Sequence, residues 1–146
     1  AVLSAGGNWL ESHLSRLGGL YVGSVLVELA EGKVDALRAA VAAVDAAGLE
    51  VRIAPAGEIA VAGETLQFSL VGQDRPGIVN QVTAAVSGLG ANIETFETWL
   101  SAEAHSGGQL FHMAAHLRLP EGLKAAAVQD ALEAISGEIM VDVAVG

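Results

Sequence analysis

The chain contains no cysteine among its 146 residues, which excludes disulfide frameworks, thiolate metal sites and thiol nucleophiles. Basic residues are also scarce, because seven Lys and Arg stand against 17 Asp and Glu, for a formal net charge of −10. A chain this acidic offers no attractive surface to phosphate backbones, so we expect no direct binding of nucleic acid. The absence of cysteine is compatible with a reducing cytoplasm, where we expect the protein to act.

Long apolar runs are missing as well. The longest, at residues 17–27, is eleven residues long and contains three glycines, whereas a membrane span needs about 20 apolar residues. Aromatic residues make up 4% of the chain, although hydrophobic residues make up 52%. These proportions predict a packed globular protein without a membrane partner, whose core is built mainly from Ala, Val and Leu.

The second half of the chain predicts the element order β-α-β-β-α-β, an α+β arrangement. Apolar residues alternate from Leu66 to Leu70, as in a strand. After the break at residues 73–77, apolar residues recur at helical spacing from Ile78 to Leu89. The remaining elements are predicted as strands at 93–100, 111–119 and 139–145 and as a second helix at 123–135.

The first half repeats this order, but its first recognisable element corresponds to the second strand of the second half. Gly6-Gly7-Asn8-Trp9 matches Gly90-Ala91-Asn92-Ile93 at an offset of 84, and Gly18-Gly19 matches Gly107-Gly108 at an offset of 89. The difference predicts a loop that is longer by five residues in the second copy. A helical stripe follows from Val34 to Val44, and Val51–Ile53 takes the place of the last strand.

Only seven residues precede Asn8, whereas 28 separate Glu64 from Asn92 in the second copy. We therefore expect the first copy to lack its initial strand and most of its first helix in this chain, so that either the natural protein begins upstream or a neighbouring chain fills the gap. The predicted domains are a first module at 1–56, a linker at 57–63 that includes a short strand at 59–61, and a second module at 64–146.

Two motifs of the second module resemble the ACT domain: Leu-Val-Gly-Gln-Asp-Arg-Pro-Gly-Ile-Val at 70–79 and Gly-Ala-Asn-Ile-Glu at 90–94. With the segments at 6–12, 17–19 and 106–111, the tandem arrangement looks like the glycine cleavage system transcriptional repressor-like group of double-ACT proteins. The resemblance covers nearly the whole chain. It implies two tandem ferredoxin-like βαββαβ modules that regulate metabolism and carry no catalytic activity.

The break after the first strand of the second module has the chemistry of a ligand site. Pro76 is predicted to begin the helix, whose N-terminal N–H groups and partial positive charge suit a carboxylate, and Gly77 lets a ligand approach the backbone closely. The resemblance implies that side chains at Asp74 and Asn92 reach the bound amino acid. The candidate ligand-binding residues are Gly72, Gln73, Asp74, Arg75, Pro76, Gly77, Ile78, Val79, Asn92, Ile93 and Asn8.

Purely structural roles are the alternative for these residues. Asp74 is then a helix cap, Gly77 only serves the turn, and Asn92 adopts a left-handed turn.

Metal binding and catalysis have little support in the sequence. His112 and His116 lie about 13 Å apart along one strand and cannot chelate one ion, and His105 lies in the preceding loop. We therefore expect no metal and no cofactor. The chain has no Gly-x-Ser-x-Gly nucleophile motif, so no catalytic residues are assigned. Trp9 and Trp99 are expected to be core or interface anchors.

The functional prediction is a regulatory sensor that binds a small amino acid, of the glycine or serine class, at an interface between ACT modules. The resemblance implies control of glycine cleavage and one-carbon metabolism, which for so acidic a chain must pass through a protein partner. We expect a homodimer, because exposed strand edges favour side-by-side pairing. The alternative is a ligand-free ACT-type module that serves only in dimerisation or interaction.

Overall fold

The computed structural model of the chain describes residues 1–57, 63–102 and 107–146. The chain divides into two compact units, Ala1–Ile59 and Ala60–Gly146. The short strand predicted at 59–61 lies outside the described residues, as do His105 and Ser106. The domain boundaries inferred from the sequence stay a prediction.

The first unit contains a single turn of 3-10 helix, two strands and one helix. The two strands pair antiparallel in a two-stranded sheet, and nearly every residue in them is exposed. The elements are the 3-10 helix Leu3–Ala5, strand β1 at Asn8–Leu17, strand β2 at Leu20–Glu28 and helix α1 at Val34–Asp45.

The prediction of a last strand at Val51–Ile53 is wrong, since these residues form no strand. In the second unit the last strand pairs with the first strand of its module. Among the described residues of the first unit there is no counterpart of that first strand, so Val51–Ile53 has nothing to pair with.

The second unit has the complete order β-α-β-β-α-β and confirms the α+β, ferredoxin-like prediction. Its sheet has the strand order β4-β5-β3-β6, and every neighbouring pair is antiparallel. The elements are β3 at Thr65–Gln73, α2 at Ile78–Gly88, β4 at Asn92–Ala102, β5 at Gln109–Arg118, α3 at Ala125–Glu133 and β6 at Met140–Val145.

The core of the second unit lies between one face of this sheet and the two helices. Burial alternates along β3 and β5, as period-two strands with one covered face require. Met113 and Leu117 on β5 are fully buried, as are Val128 and Leu132 on α3. The opposite face of the sheet, which we call the open face, carries His112 and the alternate residues of β5.

Both units have a β-bulge at the same place in the repeat. Leu10 is the extra residue in β1 and Glu94 is the extra residue in β4, which matches the offset of 84. Asn8 faces Glu28 as Asn92 faces Arg118, so the second strand of each pair is displaced by 90 positions (118 − 28 = 90). The segment between the equivalent pairs is therefore longer by six residues in the second copy (90 − 84 = 6), one more than the five predicted from the glycine pair.

No helix within the described residues is long and apolar enough to cross a membrane.

Candidate functional site

The candidate site is built on the loop that joins β3 to α2. Asp74 follows the end of β3, and its backbone N–H donates to the carbonyl of Gln109 at the start of β5 (3.0 Å). The next four residues form a β-turn, in which the N–H of Ile78 donates to the carbonyl of Arg75 (3.4 Å). Gly77 has φ 85° and ψ 1°, the values of the third residue of a type II turn, where Pro-Gly is the favoured central pair.

This turn corrects the predicted helix start. Helix α2 begins at Ile78, with Gly77 as its N-cap residue, so Pro76 belongs to the turn and not to the helix. The left-handed conformation of Gly77 explains why glycine is needed there. No side chain caps the helix, so the alternative in which Asp74 is the cap is wrong.

The surface at Gly77 is open to solvent, and backbone N–H donors of helix α2 lie next to it. Asp74, Gly77 and Val79 are exposed and Arg75 is half-buried. No heavy atom lies within 4 Å of the position that a Cβ of Gly77 would occupy. The N–H groups of Val79 and Asn80 lie in the first turn of α2, where the backbone has no intrahelical acceptor for them. A small anion can reach these donors from solvent.

Two of the predicted site residues belong to the core. Ile78 is 3% exposed and packs in the apolar cluster. Gly72 is buried, and a Cβ there would lie 3.1 Å from Cγ1 of Ile139, so the missing side chain makes room for Ile139. The remaining loop residues, Gln73 and Pro76, are exposed.

Asn92 lies at the opposite end of the sheet from Asp74 within one chain. It begins β4 and faces Arg118 at the end of β5, whereas Asp74 is bonded to Gln109 at the start of β5. Nine residue steps along β5 separate these two ends, which is about 30 Å. Asn92 is part of a regular strand, and the described residues include no left-handed residue other than glycine. The left-handed turn suggested for it is therefore wrong.

The other two predicted residues are Ile93, which follows Asn92, and Asn8, which is the counterpart of Asn92 in the first unit. Ile93 is half-buried against the core of the second unit, next to Asn92. Asn8 is exposed at the start of β1 in the first unit, in the position that Asn92 occupies in the repeat.

A protein-family model for the ACT domain matches residues 64–145, more than half of the chain. The chain belongs to the ACT domain family.

Solved structures with the same fold cover both units of this ACT-domain protein. A protein of unknown function from Galdieria sulphuraria is 24% identical, with a TM-score of 0.79 over 99% of this chain and 85% of that chain. A protein provisionally named glycine cleavage system transcriptional repressor is 17% identical, with a TM-score of 0.67 over 99% of this chain and 84% of that chain. At these identities the likeness shows the fold alone. No match was found among curated proteins.

The open face of the second ACT unit carries a cluster that the sequence did not predict. The ring of Trp99 on β4 stacks on His112 of β5, with centroids 5.2 Å apart and planes at 6°. Nε2 of His112 lies 2.7 Å from the hydroxyl of Ser101. Trp99 is 49% exposed and Trp9 is 52% exposed. Of the two predicted roles, core anchor or interface anchor, the core role is excluded and the interface role stays a prediction. The signal was the alternation of β5, which places His112 opposite Phe111.

The possible metal ligands of the described residues lie apart from one another. Within residues 1–57, 63–102 and 107–146, no three or more His, Asp or Glu side chains come together as ligands. His112 and His116 lie on one face of β5, four residues apart, with different neighbours across the sheet: Trp99 for the first and Thr95 for the second.

Proposed function

We propose that the chain is a regulatory protein whose second ACT unit binds a small amino acid of the glycine or serine class at the β3–α2 loop. The observation that carries this proposal is the left-handed Gly77, with open space in front of it and the free donors of the first turn of α2 beside it. The ligand carboxylate accepts hydrogen bonds from the N–H groups of Val79 and Asn80. The carboxylate of Asp74, exposed on the same loop, pairs with the ligand ammonium group.

A second copy of the chain completes this site in our proposal. Strand β4 lies at the edge of the sheet, and one side of it is unpaired among the described residues of its unit. If two β4 strands pair antiparallel about a two-fold axis, the start of one lies beside the end of the other. Asn92 of the partner subunit then lies at the end of the sheet that holds the Asp74 loop, although the same chain's own Asn92 is about 30 Å away.

The regulatory output passes through another protein. The net charge of −10 disfavours direct contact with DNA, so a transcriptional role needs a protein partner. The fold shared with the provisionally named glycine cleavage system transcriptional repressor supports a role in the control of glycine metabolism. The same proposal places this role in the cytoplasm and extends it to one-carbon metabolism. We assign it no catalytic step.

A ligand-free dimerisation module is the second candidate function. Phe96 and Leu100 on β4 are 40% and 51% exposed, on the side of the sheet that the helices cover elsewhere. An edge strand flanked by such side chains favours association with another copy whether or not a ligand binds.

Calorimetric titration of the chain with each of the twenty amino acids tests the first candidate. A ligand at a hundred times its dissociation constant should also stabilise the protein by about 2.7 kcal/mol in a thermal-shift assay. Asp74→Ala should weaken binding ten- to hundredfold, since a hydrogen bond to a charged group contributes about 1.5–3 kcal/mol. Asp130→Ala, which removes an exposed carboxylate from α3, is the matched control and should bind like wild type.

A mixing experiment tests the completion of the site by a second copy. Asn92→Ala alone should weaken binding as Asp74→Ala does. When equal amounts of the two variants exchange subunits, half of the dimers are mixed, and each mixed dimer has one site with both native residues. About one quarter of all sites should then regain wild-type affinity. If mixing restores nothing, the two residues do not meet across a dimer. If no amino acid gives heat or stabilisation, the ligand-free candidate replaces the first.

A further inference from the structure

The open face of the second unit has a row of residues with a carboxylate at each end. Glu97, Ala114, Ser69 and Asp142 face one another across the four strands. Three strand spacings separate the two carboxylate-bearing residues, a distance of about 14 Å. Glu97 and Asp142 are both exposed, and neither has an ion-pair partner in the part of the chain that the structure describes.

Between these carboxylates the surface is low because the side chains are small. Ser69 and Ala114 occupy the middle of the row, and a shallow hollow lies there, bounded by Gln67, Asp142 and Ala144. The backbone of the sheet is therefore accessible to an apolar side chain from another molecule.

The next row along the strands is apolar and aromatic. Trp99, His112, Val71 and Met140 face one another across the sheet. Trp99 is 49% and Met140 is 72% exposed. The indole is stacked on His112, and Ser101 holds that imidazole in turn. A partner that contacts Trp99 therefore meets a ring that is already ordered, which lowers the entropic cost of binding.

We propose that the open face of the second unit binds a basic amphipathic helix of another protein. The apolar face of that helix packs on the row of Trp99 and Met140 and into the hollow over Ser69 and Ala114. Lys or Arg side chains at its two ends pair with Glu97 and Asp142. A separation of about 14 Å corresponds to about nine residues of helix at 1.5 Å per residue. The two cations must also lie on one side of the helix, so the nearest suitable spacing is about eleven residues, or three turns.

The charge of the open face favours a basic helix over a second copy of the chain or a nucleic acid. A second copy packed face to face would bring four carboxylates without described cation partners into a layer about 10 Å thick, where like charges repel strongly. Nucleic acid would meet the same carboxylates with its phosphates. A basic helix is the occupant for which the two carboxylates and the apolar row are both favourable. This surface is separate from the amino-acid site, so the proposal stands without that ligand.

The probe for the test is a synthetic helical peptide of Lys, Leu and Ala, about 18 residues long. It has a leucine stripe and, beside the stripe on one side of the helix, two lysines about eleven residues apart. A shuffled peptide of the same composition is the comparison. The full chain with Trp9→Phe keeps Trp99 as its only tryptophan, so its emission reports contact with the open face. We expect the emission of Trp99 to change on titration with the amphipathic peptide, and binding to the shuffled peptide to be at least about tenfold weaker.

Variants assign the binding to this surface. Glu97→Gln combined with Asp142→Asn should weaken binding about tenfold, whereas Glu121→Gln combined with Asp130→Asn removes two exposed carboxylates elsewhere on the unit and should change it less than about twofold. Binding followed by the anisotropy of a labelled peptide allows Trp99→Ala to be tested too, with an expected loss of about tenfold. The double variant Glu97→Gln with Asp142→Asn keeps the test valid if Trp99→Ala fails to fold.

Three results would overturn the proposal. The first is that the wild-type chain does not bind the amphipathic peptide. The second is that both carboxylate pairs weaken binding equally, which indicates attraction by net charge alone. The third is that Glu97→Gln with Asp142→Asn changes the oligomeric state by light scattering, which assigns the open face to a second copy.

Discussion

The two units are copies of one repeat, yet they differ in how much they bury. The second unit has a cluster of fifteen buried apolar residues, whereas Ala5 and Leu37 are the buried apolar residues of the described first unit. The local structure of the equivalent elements is nevertheless the same. Both units have a pair of long antiparallel strands with a bulge at the equivalent residue, followed by a helix.

The difference shows which parts of the repeat make its core. In the second unit β5 is central and pairs with both β4 and β3, and α2 and α3 cover its buried face. In the part of the chain that the structure describes, the equivalent strand β2 pairs with β1 alone. Strand pairing is a local property of the hairpin, but burial needs the neighbouring strand and the covering helices.

The largest expected effect comes from equivalent core positions in the two units. Leu117 is 0% exposed, and at the offset of 90 its counterpart is the half-buried Val27. Leu117→Ala should lower the free energy of unfolding by about 2–5 kcal/mol, through lost burial and a cavity. Val27→Ala should cost less than about 1.5 kcal/mol.

Urea denaturation can separate the two units, because each contains one tryptophan. Trp9→Phe leaves Trp99 to report on the second unit, and Trp99→Phe leaves Trp9 to report on the first. Leu117→Ala should shift the midpoint seen by Trp99. Equal losses of stability in the two variants would contradict the contrast in burial.

The elements of the second unit were predictable from the sequence because each has a local signal. Alternation in β3 and β5 and the helical stripe of α2 follow directly from which face is buried. The start of α2 was missed because Pro76 was assigned to the helix, although Pro-Gly is also the signal of a type II turn. The last strand of the first unit was missed because a strand depends on its partner, which Val51–Ile53 does not have among the described residues.

The candidate site was only half predictable for a topological reason. The Asp74 loop was found from its own residues. The separation of Asp74 and Asn92 follows from the strand order, because β3 and β4 both run antiparallel to β5 and so begin at the same end of the sheet. To predict the row of Trp99 and His112, one must know the register in which β4 pairs with β5. The sequence offset of the glycines does not give that register.

Substitution of Gly23 compares strand β2 with its counterpart β5, and we expect an effect on stability of intermediate size. Gly23 lies in β2 opposite Leu14, and a Cβ there would clash with the backbone carbonyl of His13. Its counterpart at the offset of 90 is Met113, which is fully buried and well accommodated. Gly23→Ala should therefore disrupt the β1–β2 pairing and cost about 1–3 kcal/mol.

Amide hydrogen exchange measures this effect strand by strand. Protection should fall in β1 and β2 and stay unchanged in β3 to β6. Gly57→Ala is the matched control, because no heavy atom lies within 4 Å of the Cβ position there. Unchanged protection of β1 and β2 in Gly23→Ala would mean that the two strands lie farther apart in solution than in the structure.

The smallest effect concerns the two bulges, which differ in charge. In the second unit the bulged Glu94 accepts a hydrogen bond from Nε of Arg118 (2.6 Å). In the first unit the bulged residue is Leu10, and the counterpart of Arg118 is Glu28, so the same arrangement lacks an ion pair. The side chains of Glu94 and Arg118 are 32% and 23% exposed, and a pair so close to solvent contributes only about 0.2–1 kcal/mol.

Glu94→Gln should therefore lower the stability of the second unit by no more than about 1 kcal/mol, and added salt should reduce the difference from wild type. The reciprocal change, Leu10→Arg, places a guanidinium near Glu28 and should stabilise the first unit by a similar amount. Denaturation followed at Trp99 for the first variant and at Trp9 for the second measures both. A loss well above 1 kcal/mol in Glu94→Gln would mean that the ion pair holds the bulge itself, because the bulge forms in the first unit without one.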